Sequence, residues 1–340
     1  MYAWQASILG EPEKALSLVD VPIPEPGPGQ LLVRVRATAL NFPDVMLSRG
    51  QYQIRLEPPF VPGVEFCGEV VGLGEGVGAG LLGTRVVGNP VLPSGALAEY
   101  TLMTAAEAYA APESLDDAEA SALHIAYQTG WFALHRRAHL AAGETVLVHA
   151  AAGGVGSATV QLAKAAGAKV IGVVGGAEKA DAARGLGADL VIDRKSEDFV
   201  QAVKAYTGGR GVDVVFDPVG GDAYTGSARC VAFEGRIVVV GFAGGTIPAP
   251  GLNHALIKNY SILGLHWGLY KQHDPDAVHA CHAALVELAE RAEIKPLISE
   301  RIPVERAVEG LTALGAGTTT GRVVVVAGAP GSQEFPRSAE

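Results

Sequence analysis

The chain has 340 residues, of which 49% are apolar and 18% charged, with a net charge of −10. This is the make-up of a folded protein with room for two domains, and it excludes a disordered chain. The acidic balance speaks against nucleic acid or anionic lipid as a partner, so any basic pocket has to be small, as for a phosphate.

The first residues, MYAWQASILGEPEKAL, lack a basic segment followed by an apolar one, which predicts no signal peptide. Apolar alternation over Leu31 to Ala37, with Arg34 and Arg36 on one face, predicts a half-buried strand. Short strands follow at Glu69 to Leu73, Thr84 to Val87 and Leu97 to Leu102, between Gly/Pro-rich loops. This first part reads as a partly closed β-barrel. A helix is expected after Pro112, capped by Ser114, with Asp116, Asp117 and Glu119 in its first turn.

Alternation of strand and helix then takes over. Strands are expected at 145–149, 169–174, 190–192, 213–216, 236–240 and 260–265, and helices at 154–166, 178–185, 197–205, 222–231 and 253–258. Six such strands joined by helices predict an α/β fold with a doubly wound parallel sheet. A further amphipathic helix spans PDAVHACHAALVELAERAEI, with Ala277, Cys281, Ala284, Leu285 and Leu288 on one face. The strand Arg322 to Ala327 follows, and residues 331–340 read as a disordered tail. Cys67, Cys230 and Cys281 are an odd, widely spaced set, which suits a reducing cytoplasm and no disulfide framework.

The stretch Glu144 to Gly176 is where the chemistry is legible. A strand, the turn Ala151-x-Gly153-x-x-Gly156, a helix and a second strand make the context that a dinucleotide fingerprint requires. Ala151 sits where the chain leaves the strand, Gly153 admits a pyrophosphate, and Gly156 lets the helix lie close to the sheet. The N–H groups of the helix start then face a diphosphate. About 20 residues on, where an NAD site places an acid, stands Gly175-Gly176. Lys179 and Arg194 lie just beyond, and Glu178 is the opposing charge. A missing carboxylate and nearby cations predict a 2′-phosphate, and hence NADPH.

Read together, Asn41-Phe42-Pro43-Asp44, Pro62-Gly63-Val64-Glu65, Ala98-Glu99-Tyr100, Ala150 to Gly156, Asp217-Pro218-Val219-Gly220, Gly241-Phe242 and Thr320-Gly321-Arg322 are specific. Over residues 1 to 328 the chain resembles the medium-chain dehydrogenase/reductase superfamily, in its zinc-independent NADPH:quinone oxidoreductase family. The resemblance implies a GroES-like catalytic domain of 1–122 and 267–330, interrupted by a Rossmann coenzyme domain of 123–266. It implies hydride transfer from NADPH to a quinone. The alternatives are reduction of enals, enones or enoyl thioesters, and a non-catalytic NADPH-binding structural or sensor protein.

The resemblance places Asn41, Asp44 and Tyr52 at the acceptor. Asn41 would hold the acceptor or the nicotinamide ribose, Tyr52 would donate a proton or stack, and Asp44 would orient Asn41. It places Thr129, Ala152, Gly153, Gly154, Val155, Gly156, Gly176, Lys179, Arg194, Gly241, Phe242, Leu265 and Arg322 at the cofactor. Relatives that use zinc carry Cys where Asn41 stands and His where Val64 stands, so no metal is expected here. His279, Cys281 and His282, the one other set with metal-ligand chemistry, read as surface or packing residues. The apolar edge strand 261–265 is expected to pair with its own copy in a homodimer.

Overall fold

The computed structural model of the chain describes residues 1–327, so the expected tail lies outside the described residues. The chain divides into two units. One comprises residues 1–125 together with the segment from 295 onward, and the other is the continuous stretch 126–294. The helix Pro275–Glu290 therefore lies in the second unit, although 267–330 was expected to belong with the first.

In the second unit the six expected strands form one parallel sheet. Its order is Leu190–Asp193, Lys169–Val174, Thr145–His149, Val212–Asp217, Val231–Val239, Ser261–Gly264. Val146, Leu147 and Val148 are fully buried, as a strand covered by helices on both faces requires. The chain winds outward in both directions from Thr145–His149, so the sheet has its switch point between that strand and Val212–Asp217. The fifth strand begins at Val231, five residues earlier than expected. Val231 pairs with Val212 before the register shifts to Arg236 opposite Val214, and Glu234 takes a left-handed conformation at φ 57° in the interruption. That break hides the start of the strand from a pattern search. The helix Pro275–Glu290 buries Val278, Cys281, His282 and Leu285, a face slightly rotated from the expected one.

The first unit is built on the long strand Gln30–Ala39. Phe66–Leu73 runs antiparallel along one edge of it. The other edge takes two partners in succession, Tyr100–Thr104 beside residues 30–34 and Arg322–Val326 beside 37–39. Leu31, Val33 and Val35 turn inward and Arg34 and Arg36 outward, the alternation read from sequence. The strand Arg322–Val326 also pairs in parallel with Ile298–Ile302, so segments from before and after the second unit share one sheet. The helix Asp117–Ser121 is capped by Asp116 rather than Ser114. The Asp116 carboxylate accepts the Glu119 N–H at 3.0 Å, while Glu119 reaches back to the Asp116 N–H.

Candidate active site

The candidate site falls into two sets of residues, one in each unit. In the first unit, the strand Gln30–Ala39 ends beside Asn41, the N-cap of the helix Phe42–Ser48. Asp44, three residues on, is completely buried. Its carboxylate accepts N–H bonds from Asn41 and Gly63 at 2.8 Å and from Val64 at 3.0 Å. Burial pushes the Asp44 carboxyl up to about 6 against the pull of those three donors and of Arg322. Asp44 thus ties the Asn41 turn to the Gly63–Val64 turn.

Asn41 is also held from three sides. Its amide Nδ2 donates to the Ala39 carbonyl at 3.0 Å and to Glu65 Oε2 at 2.9 Å, and its Oδ1 accepts from Arg322 Nη1 at 2.9 Å. Both amide hydrogens are used inside the unit, which leaves none for an acceptor molecule. Arg322 is buried and makes an ion pair with Glu65 at 2.5 Å, and its Nε has no partner. In this unit, then, Arg322 is anchored on a carboxylate. Glu65 further accepts the Ile125 N–H at 2.6 Å, and burial raises its carboxyl above the ordinary range despite the guanidinium beside it.

Tyr52 lies in the loop after the helix, half-buried against the core that contains Val45, Phe60 and Val61. Burial, and then the Asp44 charge, raise the pKa of its phenol, so it keeps its proton at neutral pH. Sequence reasoning treated Glu65 only as part of a motif. Its signal was a lone carboxylate between apolar Val64 and Phe66, but its partner stands 257 residues away.

These residues also decide how a zinc ion would fare. At the two positions where zinc relatives carry Cys and His stand an asparagine, whose amide is already engaged, and Val64, which has no donor atom. Glu65 beside them is neutralised by Arg322. That donor set does not fit zinc, which takes thiolate, imidazole and free carboxylate. Among the described residues no group of three or more His, Cys, Asp or Glu is placed to hold a metal ion.

In the second unit the glycine turn is built as its spacing predicts, with two refinements. The left-handed residue is Ala150, at φ 51°, one position before Ala151. Gly153, the N-cap of the helix Gly154–Ala165, gives its own N–H to the Ala150 carbonyl at 2.8 Å. The first-turn N–H groups of Gly154, Val155 and Gly156 lie before the helical ladder begins and are the ones open to an anion. A Cβ on Gly156 would stand 2.0 Å from the Ala150 oxygen, so only glycine lets the helix lie this close. Ala152 is buried behind the turn. Thr129 is buried on the helix His124–Trp131, which Gly130 lets approach Thr159 and Leu162.

At the end of the second strand, Gly176 has φ 111° and caps the helix Ala177–Gly185. A Cβ on Gly175 would lie 3.4 Å from Arg194 Nε, and one on Gly176 would lie 3.7 Å from Lys195 Nζ. Burial lowers the Lys179 ammonium pKa, and the charges of Lys195 and Arg194 lower it further, with Glu178 opposing. The corner thus gathers Lys179, Arg194 and a third cation, Lys195, that sequence reading passed over. An acid is present as well, brought in by the neighbouring strand. Asp193 Oδ1 accepts the N–H groups of Gly176 at 2.8 Å and Lys195 at 3.0 Å, bonds that hold its carboxyl below the usual range. Gly241 and the partly exposed Phe242 follow the fifth strand, and Leu265, buried, gives its N–H to the Val239 carbonyl.

A parallel sheet with a glycine turn at its switch point, together with the buried Asn41–Glu65–Arg322 cluster in a GroES-like unit, defines a dinucleotide-dependent oxidoreductase. Residues 27–113 match the alcohol dehydrogenase GroES-like domain and 154–283 the zinc-binding dehydrogenase family. Quinone oxidoreductase-like protein 2 of Bos taurus is 36% identical over 323 residues, covering 95% of this chain and 92% of its own length. A probable oxidoreductase from Mycobacterium abscessus superposes with a TM-score of 0.87 at 38% identity, covering 96% of this chain and 99% of that one. A mycobacterial protein solved complexed with NADPH gives 0.88 at 31%, covering 96% and 100%. The chain belongs to the medium-chain dehydrogenase/reductase superfamily, in its quinone oxidoreductase-like family.

Proposed function

We propose that this chain transfers hydride from NADPH to a quinone without a zinc ion. The observation that carries the reading is the Asn41–Glu65–Arg322 cluster, in which an amide and an ion pair stand where a metal would be gripped. Without a Lewis acid, the acceptor has to be electron-poor already, as a quinone is. Bound NADPH supplies the hydride. Gly154, Val155 and Gly156 hold its diphosphate, and Lys179 and Arg194 hold its 2′-phosphate. Thr129, Gly241, Phe242 and Leu265 are assigned to the rest of the cofactor on family grounds.

The Asn41 amide is spent within its own unit, so Tyr52 is the group we assign to the acceptor. Its protonated phenol donates to the oxygen that gains charge. Asn41 and Asp44 hold the turn beside it. The test is NADPH oxidation, followed by absorbance, against a panel of quinones and a panel of enones. Turnover with quinones supports the reading, turnover with enones alone favours the sibling activity, and NADPH binding without turnover favours a structural or sensing role. A chelator should leave activity unchanged. Tyr52→Phe should lower kcat about a hundredfold or more with NADPH affinity kept.

We also propose that the protein is a cytoplasmic homodimer. The second edge of Ser261–Gly264 has no strand partner among the described residues, and Ile262 on it is partly exposed. Just before it, Leu252, Leu256 and Ile257 are 75%, 78% and 75% exposed, an apolar face suited to a second copy. No described helix is long and apolar enough to cross a membrane.

A further inference from the structure

Asp217 is the last residue of the fourth strand of the parallel sheet and is 0% exposed. The pairing of Phe216 with Val148 sets it beside His149, the residue that leads into the glycine turn. His149 is buried too, with Nε2 at 2.7 Å from Ser227 Oγ. Asp217 Oδ1 accepts the N–H groups of Val219 and Gly220, both at 2.9 Å, whereas Oδ2 has no partner. A carboxylate oxygen left unmet in such surroundings is destabilising. The residue is therefore costly to keep, and its engaged oxygen does one identifiable thing: it fixes the loop 218–220.

That loop is the seat of the next one. The carbonyls of Pro218 and Val219 accept the N–H groups of Ala243 and Gly244, each at 3.0 Å. Gly220 has φ 73°, and a Cβ there would stand 2.8 Å from Phe242 Cδ1 and from the Thr246 carbonyl oxygen. The Gly241–Phe242 segment is thus laid on a loop held by one buried carboxylate. The diphosphate turn lies at the end of the central strand and the 2′-phosphate corner at the strand on one side of it. A dinucleotide crossing the switch point then carries its nicotinamide half over the fourth and fifth strands.

We propose that Asp217 is a positioning residue for the nicotinamide half of the cofactor, acting through Val219 and Gly220 to set the place of Gly241 and Phe242. The inference rests on the NADPH reading, and the test separates the two. Binding is measured for NADPH and for 2′,5′-ADP, which has the adenosine phosphates and lacks the nicotinamide half, alongside thermal stability. Wild-type protein should bind both, and failure to bind either would sink the NADPH reading itself.

Asp217→Ala should weaken NADPH about tenfold and leave 2′,5′-ADP within about twofold. Asp217→Asn, which keeps an acceptor oxygen for Val219 and Gly220, should restore most of the difference. Gly220→Ala, which displaces Phe242 without touching the carboxylate, should reproduce the selective loss, and it carries the test if Asp217→Ala does not fold. Equal loss of both ligands in Asp217→Ala and Gly220→Ala, or unchanged NADPH affinity in both, would overturn the proposal.

Discussion

Glu65 and Arg322 form a buried ion pair, and removing one member leaves the other charged and unmatched. Arg322→Ala should cost about 3–5 kcal/mol of stability in the first unit, far more than a surface pair would. Two other buried groups give stability a pH dependence of opposite sign. Asp44 titrates near about 6 instead of 3.8 because burial disfavours its charge. Between those values the folded chain keeps a proton that the unfolded chain has released, so this contribution falls as pH rises. His149 titrates near about 4 instead of 6.5, chiefly through burial, with Asp217 opposing and Arg194 assisting. There the unfolded chain holds the extra proton, and stability rises with pH. The two effects oppose each other over the same pH range, and the raised Glu65 carboxyl acts in the same sense as Asp44. Urea unfolding at about pH 4.5 and about pH 6.5 should therefore show stability shifting toward higher pH, relative to the parent, in Asp44→Asn and toward lower pH in His149→Gln.

At the scale of elements, the glycine turn and its helix are the part that tolerates least change. Gly156→Ala would drive a methyl into the Ala150 carbonyl, and NADPH binding should be lost before the fold is. Lys179→Ala with Arg194→Ala should narrow the preference for NADPH over NADH, and equal affinities in the parent would show the phosphate assignment wrong. The parallel strands were legible because each is a short apolar run between glycines and helices. Ala150 was not distinguished from Ala151, since the strained position depends on how the turn closes. Asp193 was missed for a different reason. It belongs to the third strand in sequence, and only sheet pairing brings its carboxylate to Gly176, 17 residues earlier. Glu65 and Asp217 stand in quoted motifs, yet their roles come from backbone N–H groups and a guanidinium that no spacing rule locates. Local periodicity reveals elements; charges that act across the fold remain hidden until it is built.

For the whole molecule, the open edge at Ser261–Gly264 sets the expected assembly. Ile262→Lys should shift the gel-filtration mass from dimer to monomer, and a monomeric parent would remove that proposal. The order of synthesis adds another consequence. The second unit is one uninterrupted stretch, whereas the first needs Arg322–Val326, which pairs with residues 37–39 and supplies the partner of Glu65. On the ribosome the later-made unit is therefore the earlier one to mature. Nearly three hundred residues separate the opening of that sheet from the strand that locks it, a long wait for an unguarded edge. A chain stopped just before Arg322 should show protease-resistant 126–294 and a digested amino-terminal part, so the strand Arg322–Val326 is also a slow safeguard against aggregation.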